Sequence, residues 1–288
     1  MITRSQCMNS RVPGLPKSPP IALMAISRFS SMTAVLAALI ALTVAVDPTN
    51  ATPSEQGVSP HCRIPGGMID TRRLLPLTTA RLATGQPLVI VAVGSSSTAG
   101  AGASHSGASY PARLREELVR RFPAVPITVI NRGIGGETSR QMIARFEKDV
   151  LAAEPHLVIW QTGTNAALRE QDPAHFRRDI AEGLRLLRRA GADVILMAPQ
   201  FAPRFNDMPD RMDFIDAIHT AATEEGVVLF PRHTIMKYWI DSGRFDFKTM
   251  LSPDGLHLND LSYDCIAQLL ANQIENIVRP SDIARSPR

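Results

Sequence analysis

The sequence is poor in aromatic residues (5%), has three cysteines in 288 residues, and contains a single apolar run that approaches the length of a membrane span. Few aromatics leave little material for a base-stacking nucleic-acid platform. Three cysteines exclude a disulfide-rich scaffold, and one apolar run excludes a polytopic membrane protein. With 18 Gly and 44% hydrophobic residues the chain is neither collagen-like nor disordered. It is long enough for one large or two small domains with a buried core. Acidic residues are missing from residues 1–46, which hold Arg4, Arg11, Lys17 and Arg28. Of the 31 Lys and Arg, those four lie there, and the remaining 27 balance the 27 Asp and Glu. The net charge of +4 therefore belongs to this leading segment, and no nucleic-acid surface is read from it.

The apolar run Thr33–Val46 spans 14 residues and follows Arg28. A helix needs about 20 residues to cross a bilayer. A shorter run after a basic stretch fits the core of an export signal, with an uncleaved N-terminal anchor as the alternative. Ala45 and Thr49-Asn50-Ala51 are candidate cleavage positions, and Met24 and Met32 are alternative starts. No cysteine ends the run, so a lipoprotein anchor is not supported. Residues 1–51 are read as signal peptide or leader, which predicts a periplasmic or secreted protein. Removal of the leader takes Cys7 and leaves Cys62 and Cys265. An even remainder in an oxidising compartment suggests one disulfide between the mature N-terminus and the last helix; two unrelated thiols are the alternative.

Residues 47–66 are rich in Pro, Ser, Thr and Gly and read as a linker. Beyond them strand and helix patterns alternate. Pro87–Val93 contains LVIVAV and ends at Gly94, as a strand buried on both faces does. Ile127–Ile130, Leu157–Gln161, Val194–Met197 and Val227–Phe230 read as four more strands. Helices are predicted at Pro111–Phe122, Thr138–Leu151, Pro173–Ala190 and Asp210–Glu225, at about 232–242 and at about 260–278. This alternation predicts an α/β fold with a parallel sheet covered on both faces, and ligands at the carboxyl ends of the strands.

The loop after the first strand reads Gly94-Ser95-Ser96-Ser97-Thr98-Ala99-Gly100. It lacks the lysine of a P-loop and the spacing of a dinucleotide fingerprint. The Gly-x-Ser-x-Gly elbow of α/β-hydrolases is also absent. Three hydroxyls in a row at a strand end supply a nucleophile if a base reaches them. Three histidines follow an aspartate by three positions: Asp172/His175, Asp216/His219 and Asp254/His257. The first two pairs fall in predicted helices and read as solvated surface pairs. The third sits in the turn Pro253-Asp254-Gly255-Leu256-His257, where an aspartate can fix the imidazole tautomer and leave the other nitrogen for a serine. Oxyanion donors are available in Asn131-Arg132-Gly133-Ile134-Gly135-Gly136 and in Gly163-Thr164-Asn165.

The segments VAVGSSSTAG, NRGIGGETS, QTGTNAAL and SPDGLHLN resemble, in order, the four blocks of the SGNH hydrolase family, the GDSL-like esterases and lipases. The resemblance covers about residues 87–275. It implies a flavodoxin-like three-layer α/β/α fold with a parallel five-stranded sheet, and metal-free ester hydrolysis through an acyl-enzyme. By position it implies Ser96 as nucleophile, His257 as base and Asp254 as its orienting partner. The oxyanion donors it implies are the backbone N–H of Ser96 and Gly136 and the side chain of Asn165. The organisation is then a leader (1–51), a linker and N-terminal extension (52–84) and an esterase domain (85–280). Ser95 stands where the family usually has Asp, which leaves open how the first loop is braced. Ala166 stands where Asp often follows the Asn, so less polar bracing of the third loop is expected.

No cofactor and no metal is expected. The expected partner is a small-molecule or carbohydrate ester, with acetyl or short acyl esters first. No nucleic-acid partner is expected, and the membrane is met only through the leader during export. The alternatives are acyl transfer to a polysaccharide, a non-catalytic envelope carbohydrate-binding protein on the same fold, and a nucleotide-binding flavodoxin-like protein.

Overall fold

The computed structural model describes residues 57–279. The predicted leader, its cleavage positions and Cys7 lie outside the described residues. Five strands, Leu88–Gly94 (β1), Ile127–Gly133 (β2), Leu157–Gln161 (β3), Asp193–Met197 (β4) and Val228–Phe230 (β5), form one parallel sheet in the order β2-β1-β3-β4-β5. The helices before and between them are Pro76–Thr84 (α1), Ser96–Ala99 (α2), Tyr110–Arg121 (α3), Ser139–Ala144 (α4), Thr164–Leu168 (α5) and Pro173–Arg189 (α6). Pro203–Asn206 (α7), Arg211–Glu224 (α8), Arg232–Asp241 (α9), Phe247–Met250 (α10) and Asp260–Val278 (α11) follow. Among the described residues no helix is long and apolar enough to cross a membrane.

Successive strand side chains serve opposite faces, so two cores form. Leu88, Ile90, Leu157, Ile159, Ile195 and Met197 pack under α3, α9 and α11. Val91, Val93, Val158, Trp160, Val194 and Leu196 pack under α4, α6 and α8. The result is the α/β/α sandwich that the sequence implied. In α6, Phe176, Ile180, Leu184 and Leu187 recur at helical spacing and are buried, and the side chain of Asp172 accepts from the Ala174 N–H at its start. Gly183 faces the sheet: a Cβ there would lie 2.4 Å from the Trp160 ring, so glycine lets α6 settle onto β3.

The structure departs from the sequence reading in several places. β2 runs on to Gly133, in register with Gly94: Asn131 and Arg132 lie exposed at the end of this edge strand, and the Asn131 side chain donates to the Thr98 carbonyl and accepts from the Gly133 N–H. The helix expected over Thr138–Leu151 breaks at Arg145, which leaves helical geometry, and continues as a π turn at Phe146–Val150. The Arg145 guanidinium explains the break: it pairs with Glu137 and donates to the carbonyl of Arg132, tying this segment to the end of β2. Finally, part of the Pro- and Gly-rich stretch is packed rather than loose. Val58 and Cys62 are buried in the core under α11, and α1 starts with its Thr78 N–H donating to the carboxylate of Asp193, 2.7 Å away.

Cys62 and Cys265 form a disulfide across a sequence separation of 203 residues, with Cα atoms 5.1 Å apart. A loop this long places the stabilisation at the upper end of the usual range, about 4–5 kcal/mol. The double substitution Cys62→Ser/Cys265→Ser is therefore expected to lower the melting temperature by roughly 10 °C. Thermal unfolding with and without reductant measures this, and a shift below about 2 °C would mean that packing alone holds the N-terminal arm.

Candidate active site

β1 ends at Gly94, and Ser96 opens the short helix α2, so its N–H has no acceptor within the helix. Of the three consecutive serines, Ser95 and Ser97 are 2% and 1% exposed, while Ser96 is half-buried and reaches the surface. The turn before α11 is closed by a bridge between Leu251 and Leu258 and by the Ser252 N–H donating to the His257 carbonyl. Gly255 takes φ +66° at its tip. This turn brings His257 to Ser96 across 161 residues of chain, with Nε2 2.8 Å from Oγ. The other ring nitrogen, Nδ1, is bonded to Oδ2 of Asp254.

Asp254 is itself held. Its Oδ1 accepts from the N–H of Leu256 and His257, both at 2.9 Å, and from Ser252 Oγ at 2.8 Å. Partial desolvation pushes its pKa up. The His257 amide and ring, the Leu256 amide and the Ser252 hydroxyl together outweigh that and hold the carboxyl far below the usual carboxylate range. Its negative charge therefore persists beside the imidazole, favouring the tautomer with a proton on Nδ1 and a lone pair on Nε2 facing Ser96.

The glycine loop closes on the same spot. The Ile134 N–H donates to the Gly94 carbonyl, and a Cβ on Gly135 would lie 4.0 Å from that of Ser96. Gly136 takes φ +80°, the left-handed region, and its carbonyl accepts from Arg169 at 2.7 Å. Asn165, in the first turn of α5, donates one side-chain N–H to the Glu137 carbonyl at 2.9 Å, which leaves its second N–H for another acceptor. Ser96, the Gly135–Gly136 loop, Asn165 and the Asp254–His257 turn thus meet at the carboxyl end of the sheet. The other two Asp–His pairs are not bonded to Ser96. His175 Nδ1 lies 3.4 Å from Asp172 on an exposed face, and the His219 pKa is lowered by burial, with the Asp216 charge opposing the shift.

Three buried groups under these loops escape a sequence reading. Gln161, the last residue of β3, receives on Oε1 the Ser95 N–H, Ser95 Oγ and Thr98 Oγ1 at 3.0, 3.1 and 3.2 Å. Gln200 Oε1 accepts from Thr164 Oγ1 at 2.8 Å and from Arg232 Nη2 at 2.9 Å, and its Nε2 donates to the Leu256 carbonyl. The polar bracing of the third loop therefore comes from Thr164 rather than from position 166, where Ala166 is buried among apolar side chains. Arg232 is wholly buried, and burial pushes its pKa down to about 10, so it stays charged at neutral pH with no carboxylate paired to it among the described residues.

The sequence model of the non-GDSL lipase-like family matches residues 61–280. An arylesterase of Vibrio mimicus is 27% identical over 173 residues, 58% of this chain and 78% of that protein. Thioesterase 1/protease 1/lysophospholipase L1 of Escherichia coli K12 is 27% identical over 208 residues, covering 71% of this chain and 90% of its own length. A solved two-domain esterase active on acetylated mannans superposes with a TM-score of 0.62 at 24% identity over 75% of this chain, which spans 57% of that structure's length. This likeness carries the fold. The chain belongs to the non-GDSL lipase-like family, which falls in the SGNH/GDSL-like class of carboxylic ester hydrolases.

Proposed function

We propose that this protein is an exported serine esterase that cleaves acetyl or short acyl esters, including those on carbohydrate, through an acyl-enzyme. The observation that carries the proposal is the continuous chain Asp254–His257–Ser96, with the Oγ–Nε2 distance at 2.8 Å. In this reading Ser96 Oγ attacks the ester carbonyl carbon while His257 Nε2 takes its proton. The Ser96 and Gly136 N–H groups and the free Asn165 N–H stabilise the oxyanion. The tetrahedral adduct collapses as His257 protonates the leaving alcohol. Water, deprotonated by His257, then attacks the acyl-serine and frees the acid. The fold neighbour active on acetylated mannans supports acetyl groups on carbohydrate, and the arylesterase relative supports ester cleavage. Export is supported by the basic, acid-free segment before the apolar run Thr33–Val46, and by the Cys62–Cys265 disulfide, a bond that persists in oxidising compartments.

The test is a series of p-nitrophenyl esters from acetyl to palmitoyl, with the protein recovered from the medium or periplasm. The expected kcat/KM is highest for acetyl to butyryl and lower by about tenfold or more at octanoyl. A maximum at long chains would replace the short-acyl reading with a lipase. Absence of hydrolysis along the whole series, with carbohydrate binding intact, would replace it with a binding protein. Acetate release rather than acetyl transfer is expected when an oligosaccharide acceptor is added.

A further inference from the structure

We propose that Gln161 is the positioning residue for the nucleophile: its single side-chain oxygen is the common acceptor that fixes the residues on both sides of Ser96. The proposal rests on the reading of Ser96 as nucleophile. Ser95 directly precedes Ser96 and Thr98 follows it by two, and both lodge on Gln161 Oε1, with the Ser95 backbone N–H as the third donor. The acceptor belongs to β3 and is wholly buried, so the turn is referred to the middle of the sheet rather than to another loop.

The direction of each bond can be followed. Thr98 Oγ1 gives its proton to Gln161, so at its 3.2 Å contact with the Tyr110 hydroxyl it accepts. Burial pushes the Tyr110 pKa up to about 12, with the Thr98 bond opposing the shift, so the phenol keeps the proton it donates. Tyr110 therefore points Thr98 toward Gln161. The close convergence also explains Gly94. A Cβ at that position would fall 2.2 Å from Thr98 Oγ1 and 2.8 Å from Gln161 Oε1. The amide nitrogen of Gln161, by contrast, is buried and has no hydrogen-bond partner. Only the acceptor half of the side chain is in use, although an unpaired buried amide is costly to keep. A neutral acceptor does the bracing that a carboxylate would do, without a negative charge beneath the site where an oxyanion develops.

Two substitutions separate this role from bulk packing. Gln161→Leu keeps the size and removes the acceptor; Gln161→Glu keeps an acceptor oxygen in the same place. With p-nitrophenyl acetate, Gln161→Leu is expected to lower kcat by about 100-fold with KM changed less than about threefold, and the rate of fluorophosphonate labelling is expected to fall with kcat. Gln161→Glu is expected to recover kcat to within about tenfold of the parent and to add a titration to the pH profile that the parent lacks. Parental kcat in Gln161→Leu, or equal losses in both variants with both folded, would overturn the proposal. If neither variant folds, Ser95→Ala/Thr98→Val removes both hydroxyl donors from the other side of the contact and is expected to lower kcat by about tenfold. Parental activity there would overturn it as well. If Ser96→Ala still labels, the nucleophile reading fails; if it does not label and Gln161→Leu is fully active, only the brace fails.

Discussion

Ser96→Ala is expected to abolish fluorophosphonate labelling and to lower kcat by about 10⁴-fold or more, leaving only what the oxyanion donors and substrate binding contribute. The effect is large because Ser96 is the one hydroxyl of the three that faces His257. Ser95 and Ser97 are buried, and the Ser95 hydroxyl is already committed to Gln161. Ser95→Ala and Ser97→Ala are therefore expected to keep the label. The Ser96 hydroxyl makes its bond at the surface of the fold, so the alanine variant should melt within a few degrees of the parent, as shown by circular dichroism. Label retained in Ser96→Ala and lost in either neighbour would move the nucleophile to that neighbour.

Asp254→Asn is expected to lower kcat by about 10³–10⁴-fold while the turn stays closed. An amide oxygen can still accept from the Leu256 and His257 N–H groups, so the backbone of the turn has its partners. What is lost is the charge beside Nδ1. The amide has no negative charge to hold the Nδ1 proton or to stabilise the imidazolium formed when Ser96 is deprotonated. The sign of the pH effect follows from the depressed carboxyl pKa. The fold favours ionised Asp254, so its contribution is in place above the ordinary carboxylate range and is lost only as strong acid protonates it. Mild acidification is thus expected to leave Asp254 charged in the parent. Steady-state rates on p-nitrophenyl acetate measure the effect, and kcat within tenfold of the parent would remove Asp254 from the mechanism.

The sheet and the four site loops were legible because each is written locally. Leu157–Gln161 is an unbroken buried strand, and Ser96, Gly136, Asn165 and His257 each sit in a short block with its own turn residues. The short helices α2, α5, α7 and α10 were not legible, since four or five residues hold no period to detect. Arg145 reads as an ordinary polar residue on a helix; its effect appears only when its guanidinium meets Glu137 and Arg132. Gln161 and Gln200 escaped for a related reason. Gln161 looks like a polar residue closing a strand and Gln200 like one in the loop after β4, and their importance comes from donors 32 to 66 positions away that only the fold brings together. The Pro- and Gly-rich stretch reads as a linker by composition, yet Val58 and Cys62 are held in place by burial and by a cysteine far along the chain.

That far cysteine sets an order of events during synthesis. Cys62 emerges early but has to wait for Cys265, and Ser96 likewise waits for His257. Both connections are completed by the segment that carries His257 and Cys265. A chain halted before Asp254 therefore carries a Ser96 hydroxyl without its imidazole and a Cys62 thiol without its mate, and one late segment supplies both partners.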